Sequence, residues 1–282
     1  MNHINPHWKE TFFNNYFKEN NKNKNDCISY KNQHFQKLYQ YTKVKHVEDL
    51  ICSNIMYLRE LNELNDPFEG ELPCDFRENV KVKINNNFKK NNIEIIHLNS
   101  NVKNNYNELI KNRWEEIKKE MNIVCFTENN DIIPMWSHYG DNHKGICIEY
   151  DFNKNLFIKN ECFPVYYVTD ANNNELCEKI LKNNSEKELF SQFFLRKGEN
   201  WNYEKEWRLI IPKNINNSNI KIFYKKDKKY LKFMKPNAVY LGYKIKKNDE
   251  NYIKDLCNFN NIPIYKMNKD KSGYNFKTDT II

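Results

Sequence analysis

The spacing of apolar and polar positions along the chain predicts an alternation of helices and short strands. Apolar positions at helical spacing predict helices over residues 6–20, 47–52, 108–121, 174–197 and 249–259. Alternating or short apolar runs predict strands over residues 37–41, 55–58, 123–126, 146–148, 162–168, 209–211, 220–224, 238–243 and 264–267. Because long apolar strand runs are few, we expect an α+β fold, with mixed or antiparallel sheets and flanking helices.

Polar stretches suggest how this fold is divided. A chain of 282 residues is long for one domain and short for two. The polar run at residues 20–25 follows the first predicted helix. We therefore expect an N-terminal helix and polar linker over residues 1–30, and a single α+β domain of catalytic type over residues 31–282. An Asn/Lys-rich stretch near residues 76–105 is expected to be an exposed insertion.

Composition and charge limit the class of protein. The chain carries 45 Lys and Arg against 37 Asp and Glu, a net charge of +8. A Lys-rich surface can neutralise phosphate, so nucleic acid is one expected partner. No apolar run is long enough for a membrane span, and the N-terminus lacks the pattern of a signal peptide. The eight cysteines lack CxxC spacing, which predicts a cytoplasmic protein with reduced thiols and without structural zinc.

The densest group of chemically versatile side chains lies at residues 134–145, between two predicted strands. Such connections often carry binding or catalytic residues. Pro134 suits a first helical position and Gly140 suits a helix end, so we expect one helical turn here. The side chains of interest are Trp136, Ser137, His138, Tyr139, His143 and Lys144. The alternative is a well-packed aromatic turn without a chemical role.

A second dense motif, residues 197–208, leads into the predicted strand at 209–211. Glu204 and Glu206 stand two positions apart, which in a strand directs both carboxylates to one face. Each would raise the pKa of the other unless a cation lies between them. Arg208 falls on the same face and could neutralise one carboxylate. The alternative is a solvated ladder of charges.

A turn at residues 64–70 offers two further carboxylates, Asp66 and Glu69. Asp before Pro is typical of an Asx turn, in which the side chain accepts a backbone hydrogen bond. The alternative is that Asp66 or Glu69 lines a site. No phosphate-binding loop, GxSxG elbow, HExxH or EF-hand pattern is present in the sequence.

Five blocks of sequence, at residues 38–41, 64–69, 125–128, 135–145 and 201–208, together carry a family resemblance. They resemble the bacterial family catalogued as domain of unknown function 2971, over roughly residues 37–245. The Trp-Ser-His-Tyr and Glu-x-Glu-Trp-Arg blocks are the most specific. This resemblance implies no settled activity, but it implies an antiviral-defence, abortive-infection or toxin-type role, with a phage or host protein as a partner.

The order of the motifs is also similar, more distantly, to that of mono-ADP-ribosyltransferases: an early strand with an aromatic residue, a middle strand ending in Phe-Thr and a late Glu-x-Glu strand. This resemblance implies an ADP-ribosyltransferase-like fold and activity, with NAD as substrate and no metal. Glu206 would be the catalytic carboxylate and Glu204 its partner near the acceptor. Gln40 and Lys43 stand near Tyr41, where the transferases carry Arg or His.

The resemblance assigns further roles. Thr127 would supply the middle-strand hydroxyl, Tyr139 or Trp136 would stack on nicotinamide, and Tyr41 would contact the ribose of NAD. The catalytic candidates are Glu206, Glu204 and His138; the cofactor-binding candidates are Tyr41, Thr127, Trp136, Ser137, Tyr139 and Arg208; and the other candidates are Asp66, Glu69, His143, Lys144 and Trp201.

Two alternatives stay open on the sequence alone. In a metal-dependent nuclease or phosphodiesterase, a divalent cation would activate water. Its ligands would be His138, His143, Asp66, Glu204 and Glu206. In a non-catalytic sensor or partner-binding module, the aromatic stretch at 134–145 would serve as a recognition patch.

Overall fold

The computed structural model describes residues 7–16, 23–71, 108, 112, 114–116, 118–169, 194–213, 215 and 219–281. Its helices are Trp8–Tyr16 (α1), Lys24–Gln33 (α2), Val47–Ile51 (α3), Ile133–His138 (α4), Leu156–Glu161 (α5) and Lys247–Phe259 (α6). Its strands are Lys37–Thr42 (β1), Ile55–Tyr57 (β2), Met121–Thr127 (β3), Ile146–Asp151 (β4), Cys162–Pro164 (β5), Tyr166–Val168 (β6), Arg196–Gly198 (β7), Glu206–Pro212 (β8), Ile222–Lys225 (β9), Lys228–Lys232 (β10), Ala238–Leu241 (β11), Ile264–Lys269 (β12) and Phe276–Thr280 (β13).

These strands form a mixed eight-stranded sheet and two small sheets. The large sheet has the order β13-β12-β11-β4-β1-β3-β8-β5, and only β11 and β12 are parallel within it. An antiparallel sheet has the order β2-β10-β9, and β6 pairs with β7 in parallel. The predicted α+β class, with mixed or antiparallel sheets and flanking helices, is confirmed.

The large sheet opens between β1 and β3. Strand β1 pairs with β4 over six residues and β3 pairs with β8 over seven, whereas β1 meets β3 only at Tyr39 and Thr127. Beyond this pair the side chain of Gln40 reaches across, and its Nε2 donates to the carbonyl oxygen of Cys125 at 3.4 Å. The gap therefore lies between two strands that are each well held on their outer side.

Alternation along the strands separates an apolar face from a polar one. On β3 and β8, Phe126, Trp207 and Leu209 enter the main core, which also contains residues of α1, α3, α5 and α6. The intervening side chains, including Glu206 and Arg208, point to the opposite face, as a period of two requires. This opposite face carries the charged groups described below.

The N-terminal helices pack onto the domain. Trp8 of α1 stacks on the His34 ring at 4.4 Å and lies 5.9 Å from the Trp207 ring. Lys31 of α2 is completely buried, and its Nζ donates to the carbonyl oxygens of Lys159 and Cys162 at 2.7 and 2.5 Å. The ammonium group thus satisfies carbonyls at the end of α5, where the helix itself provides no donors.

Several element predictions need correction. The strand predicted over residues 162–168 is two strands in different sheets, because Val165 between them donates its N–H to the Glu206 carbonyl. The helix predicted over 174–197 lies mostly outside the described residues, and its last residues belong to β7. Strands β10 and β13 and helix α2, which starts inside the predicted linker, were not predicted, since polar residues dominate them.

Two other predictions fall wholly or partly outside the described residues. The insertion near residues 76–105 lies entirely outside them. Of the helix predicted over residues 108–121, the described positions 108, 112, 114–116 and 118–120 are helical. No described helix is long and apolar enough to cross a membrane.

Candidate functional site

A cleft occupies the gap between β1 and β3. Its volume is about 980 Å³, including the open solvent at its mouth. One wall comes from β1 and β3, another from β2 and β10 of the small sheet, and one end from β7, β8 and the segment before β8. Polar and aromatic residues that line it include Tyr39, Gln40, Tyr41, His46, Tyr57, Arg59, Thr127, Tyr139, Lys197, Glu204, Glu206 and Tyr230.

Lys197 joins the two glutamates at this end of the cleft. Its Nζ lies 2.5 Å from Glu204 Oε2 and 2.9 Å from Glu206 Oε2. The three side chains are between 3% and 5% exposed, so water screens these contacts only slightly. The cation that two neighbouring carboxylates require is therefore supplied from β7.

Arg208 extends the network on the other side of Glu206. Its Nε and Nη2 donate to the two oxygens of Glu206 at 2.8 and 3.0 Å. Its Nη1 and Nη2 donate to the two oxygens of Glu69 at 2.6 and 2.8 Å, and Nη1 also donates to the Phe194 carbonyl at 2.7 Å. We call Glu69, Arg208, Glu206, Lys197 and Glu204 the buried charge chain.

Burial excludes one interpretation of the Glu-x-Glu motif. Arg208 is 0% exposed, Glu204 is 2% exposed and Glu206 is 4% exposed. The alternative of a solvated charge ladder is therefore wrong. Arg208 does contact Glu206, as the spacing indicated.

The local backbone explains how Glu204 and Glu206 meet. Glu204 ends a 3-10 segment, Glu199–Glu204, and only Glu206 belongs to β8. Lys205 between them is left-handed, with φ of +45°. The expectation that both glutamates project from one strand is therefore wrong, and a sharp turn at Lys205 brings their carboxylates to the same cation. Thr127 Oγ1 fixes this turn by donating to the Glu204 carbonyl at 2.6 Å.

The two carboxylates have opposite proton affinities. Burial alone would raise the pKa of Glu206, but Arg208 and Lys197 hold it well below its ordinary value. Burial, and then the charge of Glu206, raise the pKa of Glu204, although Lys197 opposes the shift. Glu206 therefore stays ionised at neutral pH, whereas Glu204 binds a proton more readily than an ordinary glutamate.

The first dense motif, which contains most of helix α4, contacts the buried charge chain. Tyr139, which follows α4, donates its hydroxyl to Glu204 Oε1 at 2.6 Å. Tyr41 donates its hydroxyl to the Asn129 carbonyl at 3.0 Å and accepts from the Ile132 N–H at 3.3 Å. Tyr41 thus holds the start of α4 against β1, while Tyr139 reaches the charge chain.

Two residues assigned to NAD binding take other positions. Trp136 is 0% exposed, and its indole N–H donates to the Asn130 carbonyl at 2.8 Å. It therefore belongs to the core beneath α4 and does not present a face for stacking on nicotinamide. Ser137 Oγ donates to the Ile133 carbonyl at 3.3 Å and lies 3.0 Å from His143 Nε2. The Ser137 hydroxyl is therefore engaged within its own helical turn and with His143.

The two histidines have separate surroundings. His138 is exposed, and its ring centre lies 6.4 Å from that of Tyr203. His143 packs against Tyr243 and Phe276, at 5.1 and 5.6 Å between ring centres.

The ligand set of the metal alternative is not assembled. Asp66 accepts the Phe68 N–H at 3.0 Å, which confirms the Asx turn. Within the described ranges, no group of three or more His, Cys, Asp and Glu residues could hold a metal ion. Of the remaining candidates, Lys144 is exposed, and Trp201 is half-buried with Lys197 Nζ 4.9 Å from its ring centre.

The sequence did not identify the cation between the glutamates or the far wall of the cleft. Lys197 lies in the second dense motif, seven residues before Glu204 and on another strand. Tyr57, Arg59 and Tyr230 line the cleft from the small sheet and the segment after it. The only signal for Arg59 was that the chain has few arginines, five in all.

Comparison with known proteins bears on the same segment. No curated protein and no solved structure matches the chain. Residues 135–209 match the family described as protein of unknown function, DUF2971. This range contains most of the α4 block and all of the Glu-x-Glu-Trp-Arg block, and with them Tyr139 and the charge chain except Glu69. The segment that builds one end of the cleft is therefore similar to the DUF2971 family.

Proposed function

We propose that the protein is an ADP-ribosyltransferase-like enzyme that binds NAD in the cleft and transfers ADP-ribose to a macromolecule. The observation that carries the proposal is the adjacency of β1, β3 and β8, the three strands with the transferase-like motifs. The cleft begins where the first two of these strands separate, and Glu206 of the third stands at its end. One bound ligand can therefore reach all three motifs.

The charge of the site suits the cleavage of a nicotinamide glycosidic bond. In that step the carbon–nitrogen electron pair leaves with nicotinamide, which becomes neutral, and positive charge develops on the ribose. The three carboxylates and two cations of the buried charge chain leave one net negative charge when Glu204 is ionised. Fixed negative charge next to a developing cation stabilises the transition state.

The two glutamates have different roles in the proposed reaction. Glu206 is held ionised and immobile by Arg208 and Lys197, so it serves as the carboxylate that faces the ribose. Glu204, with its raised pKa, accepts the proton that the acceptor loses when its lone pair attacks the ribose carbon. Tyr139 orients Glu204 through its hydroxyl, and its ring supplies an aromatic surface for the cationic nicotinamide.

The biological setting follows from the resemblance and from the thiols. We propose an effector of phage defence or of the toxin type that acts in the cytoplasm and modifies a phage or host macromolecule. All cysteines among the described residues are free, which suits a reducing compartment. The net charge of +8 favours an acidic acceptor such as nucleic acid.

The test is incubation of the purified protein and a cell lysate with NAD labelled on the adenylate. We expect release of nicotinamide and transfer of label into one macromolecular fraction. Glu204→Gln and Glu206→Gln should each lower nicotinamide release about 100-fold, the scale of losing one electrostatic or proton-transfer group. Circular dichroism and Tm establish that each variant is folded. Unchanged release by both folded variants, or no release by the wild type, would refute the proposal.

A further inference from the structure

The cleft has an end opposite to the glutamates, and Arg59 lies there. Arg59 lines the cleft, and among the residues described no carboxylate pairs with it. Lys197, the other Lys or Arg along the cleft, is taken up by Glu204 and Glu206. Guanidinium groups bind carboxylates and phosphates with two parallel hydrogen bonds, so an unpaired one in a cleft is a candidate anion ligand.

The carboxylates near Arg59 already have other partners. Glu60 pairs with Lys213, and Asp49 lies 2.6 Å from Lys225 Nζ. Glu63 accepts the Tyr57 hydroxyl at 2.5 Å and the Glu60 N–H at 2.9 Å. None of these three carboxylates is therefore held in an ion pair with Arg59.

Backbone contacts hold Arg59 in place beside β3. Its N–H donates to the Ile123 carbonyl at 3.1 Å, and its carbonyl accepts from the Ile123 N–H at 2.8 Å. Ile123 lies four residues from Thr127, which is in register with Glu206. The Arg59 backbone is thus roughly 13 Å along β3 from the level of Glu206. The long arginine side chain and the ribose and pyrophosphate of a dinucleotide can together bridge this distance.

Other groups at this end fit a nucleotide. The rings of Tyr57 and Tyr230 lie 5.7 Å apart, and Lys228 Nζ lies 5.0 Å from the Tyr57 ring centre. Burial, and then the charges of Lys45, Arg59 and Lys228, lower the pKa of His46, although Asp49 opposes the shift. Cations and aromatic faces together are the features that bind phosphate and bases.

We propose that Arg59, with His46, Tyr57 and Tyr230 around it, is a phosphate subsite that selects a phosphorylated nucleotide as the ligand of the cleft. Identifying the whole ligand as NAD rests on the proposed function, whereas the phosphate subsite rests on the geometry at Arg59.

Calorimetry with ADP-ribose and with nicotinamide riboside tests the proposal, because only the first carries pyrophosphate. The variants are Arg59→Gln and, as a control, Lys235→Gln, which removes one exposed charge outside the cleft lining. We expect Arg59→Gln to weaken ADP-ribose binding about 10-fold, the scale of a hydrogen bond to a charged group. Riboside binding, and both affinities of Lys235→Gln, should stay within about 2-fold of wild type.

The outcomes separate the subsite from the activity. Equal ADP-ribose affinity in wild type and Arg59→Gln overturns the subsite, even if the protein consumes NAD. Absence of ADP-ribose binding to the wild type at millimolar concentration also overturns it. Arg59-dependent binding of ADP-ribose by a protein that never releases nicotinamide from NAD supports the subsite and overturns the proposed activity.

Discussion

Removal of the Arg208 guanidinium tests the buried charge chain most severely. Arg208→Met keeps an apolar side chain in the 0%-exposed position but removes five hydrogen bonds, four of them to carboxylate oxygens. Glu206 keeps Lys197 as a partner, whereas Glu69 has a 3%-exposed side chain and loses its ion pair. Without this partner, the Glu69 carboxylate must either be protonated or become exposed to water.

The size of the effect follows from that protonation. Protonating a glutamate of ordinary pKa about 4.3 at pH 7 costs about 3.7 kcal/mol, and at pH 5 about 1 kcal/mol. The first value agrees with the roughly 3–5 kcal/mol lost when one partner of a buried ion pair is removed. We therefore expect Arg208→Met to lower the free energy of unfolding by about 4 kcal/mol at pH 7 and by much less at pH 5.

A second substitution identifies the cause. Adding Glu69→Gln to Arg208→Met removes the orphaned charge, so the double variant should recover at least half of the loss at pH 7. Arg59→Met is the matched control: it deletes an exposed, unpaired guanidinium and should change the free energy of unfolding by less than about 0.5 kcal/mol.

Urea unfolding, followed by tryptophan fluorescence and by circular dichroism at both pH values, measures these quantities. If the two probes give coincident transitions, unfolding is two-state and a free energy of unfolding can be calculated from it. A loss below about 1 kcal/mol for Arg208→Met at pH 7 would contradict the burial argument. So would a double variant less stable than Arg208→Met alone.

Three further predictions test other contacts. Lys31→Met leaves buried carbonyls at the end of α5 without a hydrogen-bond donor, so it should lower the free energy of unfolding in urea by about 1–3 kcal/mol. An unchanged free energy of unfolding would show that these hydrogen bonds do not stabilise the fold. Gly242→Ala would bring a Cβ to 2.2 Å from the His143 carbonyl oxygen and should cost about 1–3 kcal/mol, whereas Gly198→Ala, with its nearest foreign atom at 3.9 Å, should leave Tm nearly unchanged; equal Tm values would contradict the close approach. Because the folded pKa of Glu206 lies below its ordinary 4.5, its ionisation stabilises the fold above pH 4.5 and this contribution is lost as pH falls below that value. Between pH 6 and pH 3, the free energy of unfolding of Glu206→Gln should therefore fall less steeply with decreasing pH than that of the wild type. An equal dependence on pH in the two proteins would show that Glu206 does not cause this fall.

Local patterns predicted much of the fold. Strand β3 contains an apolar run and helix α6 has apolar positions at helical spacing, so both were expected at nearly the observed positions. Strand β10 failed this test, because Lys228, Lys229 and Lys232 dominate a five-residue sequence with a single fully buried side chain. Strand β10 pairs on one side with β9, which precedes it directly, and on the other side with β2, which lies far away in the chain.

The site was predictable in part for the same reason. The chemical types in the two dense motifs drew attention to Tyr139, Glu204 and Glu206, and the chain folds so that these residues meet. Arg208 and Glu69 are 139 positions apart in the sequence, so local spacing cannot predict their ion pair. The same holds for the divergence of β1 and β3, which creates the cleft and depends on pairing between distant strands.

Trp136 shows the limit of arguing from residue type. An indole next to a histidine and a tyrosine suggested a stacking surface, yet Trp136 is buried in a core cluster with Tyr41 and Cys147. Tyr139, three positions later, lines the cleft, and so does Met135.

A crystal structure with a non-cleavable carbocyclic analogue of NAD tests the central claim most directly, because it locates every part of the ligand at once. We expect the analogue in the gap between β1 and β3, with its nicotinamide end beside Tyr139 and Glu206 and its pyrophosphate within hydrogen-bond distance of Arg59. An analogue bound elsewhere on the protein, or a cleft that stays empty at saturating concentration, would contradict it.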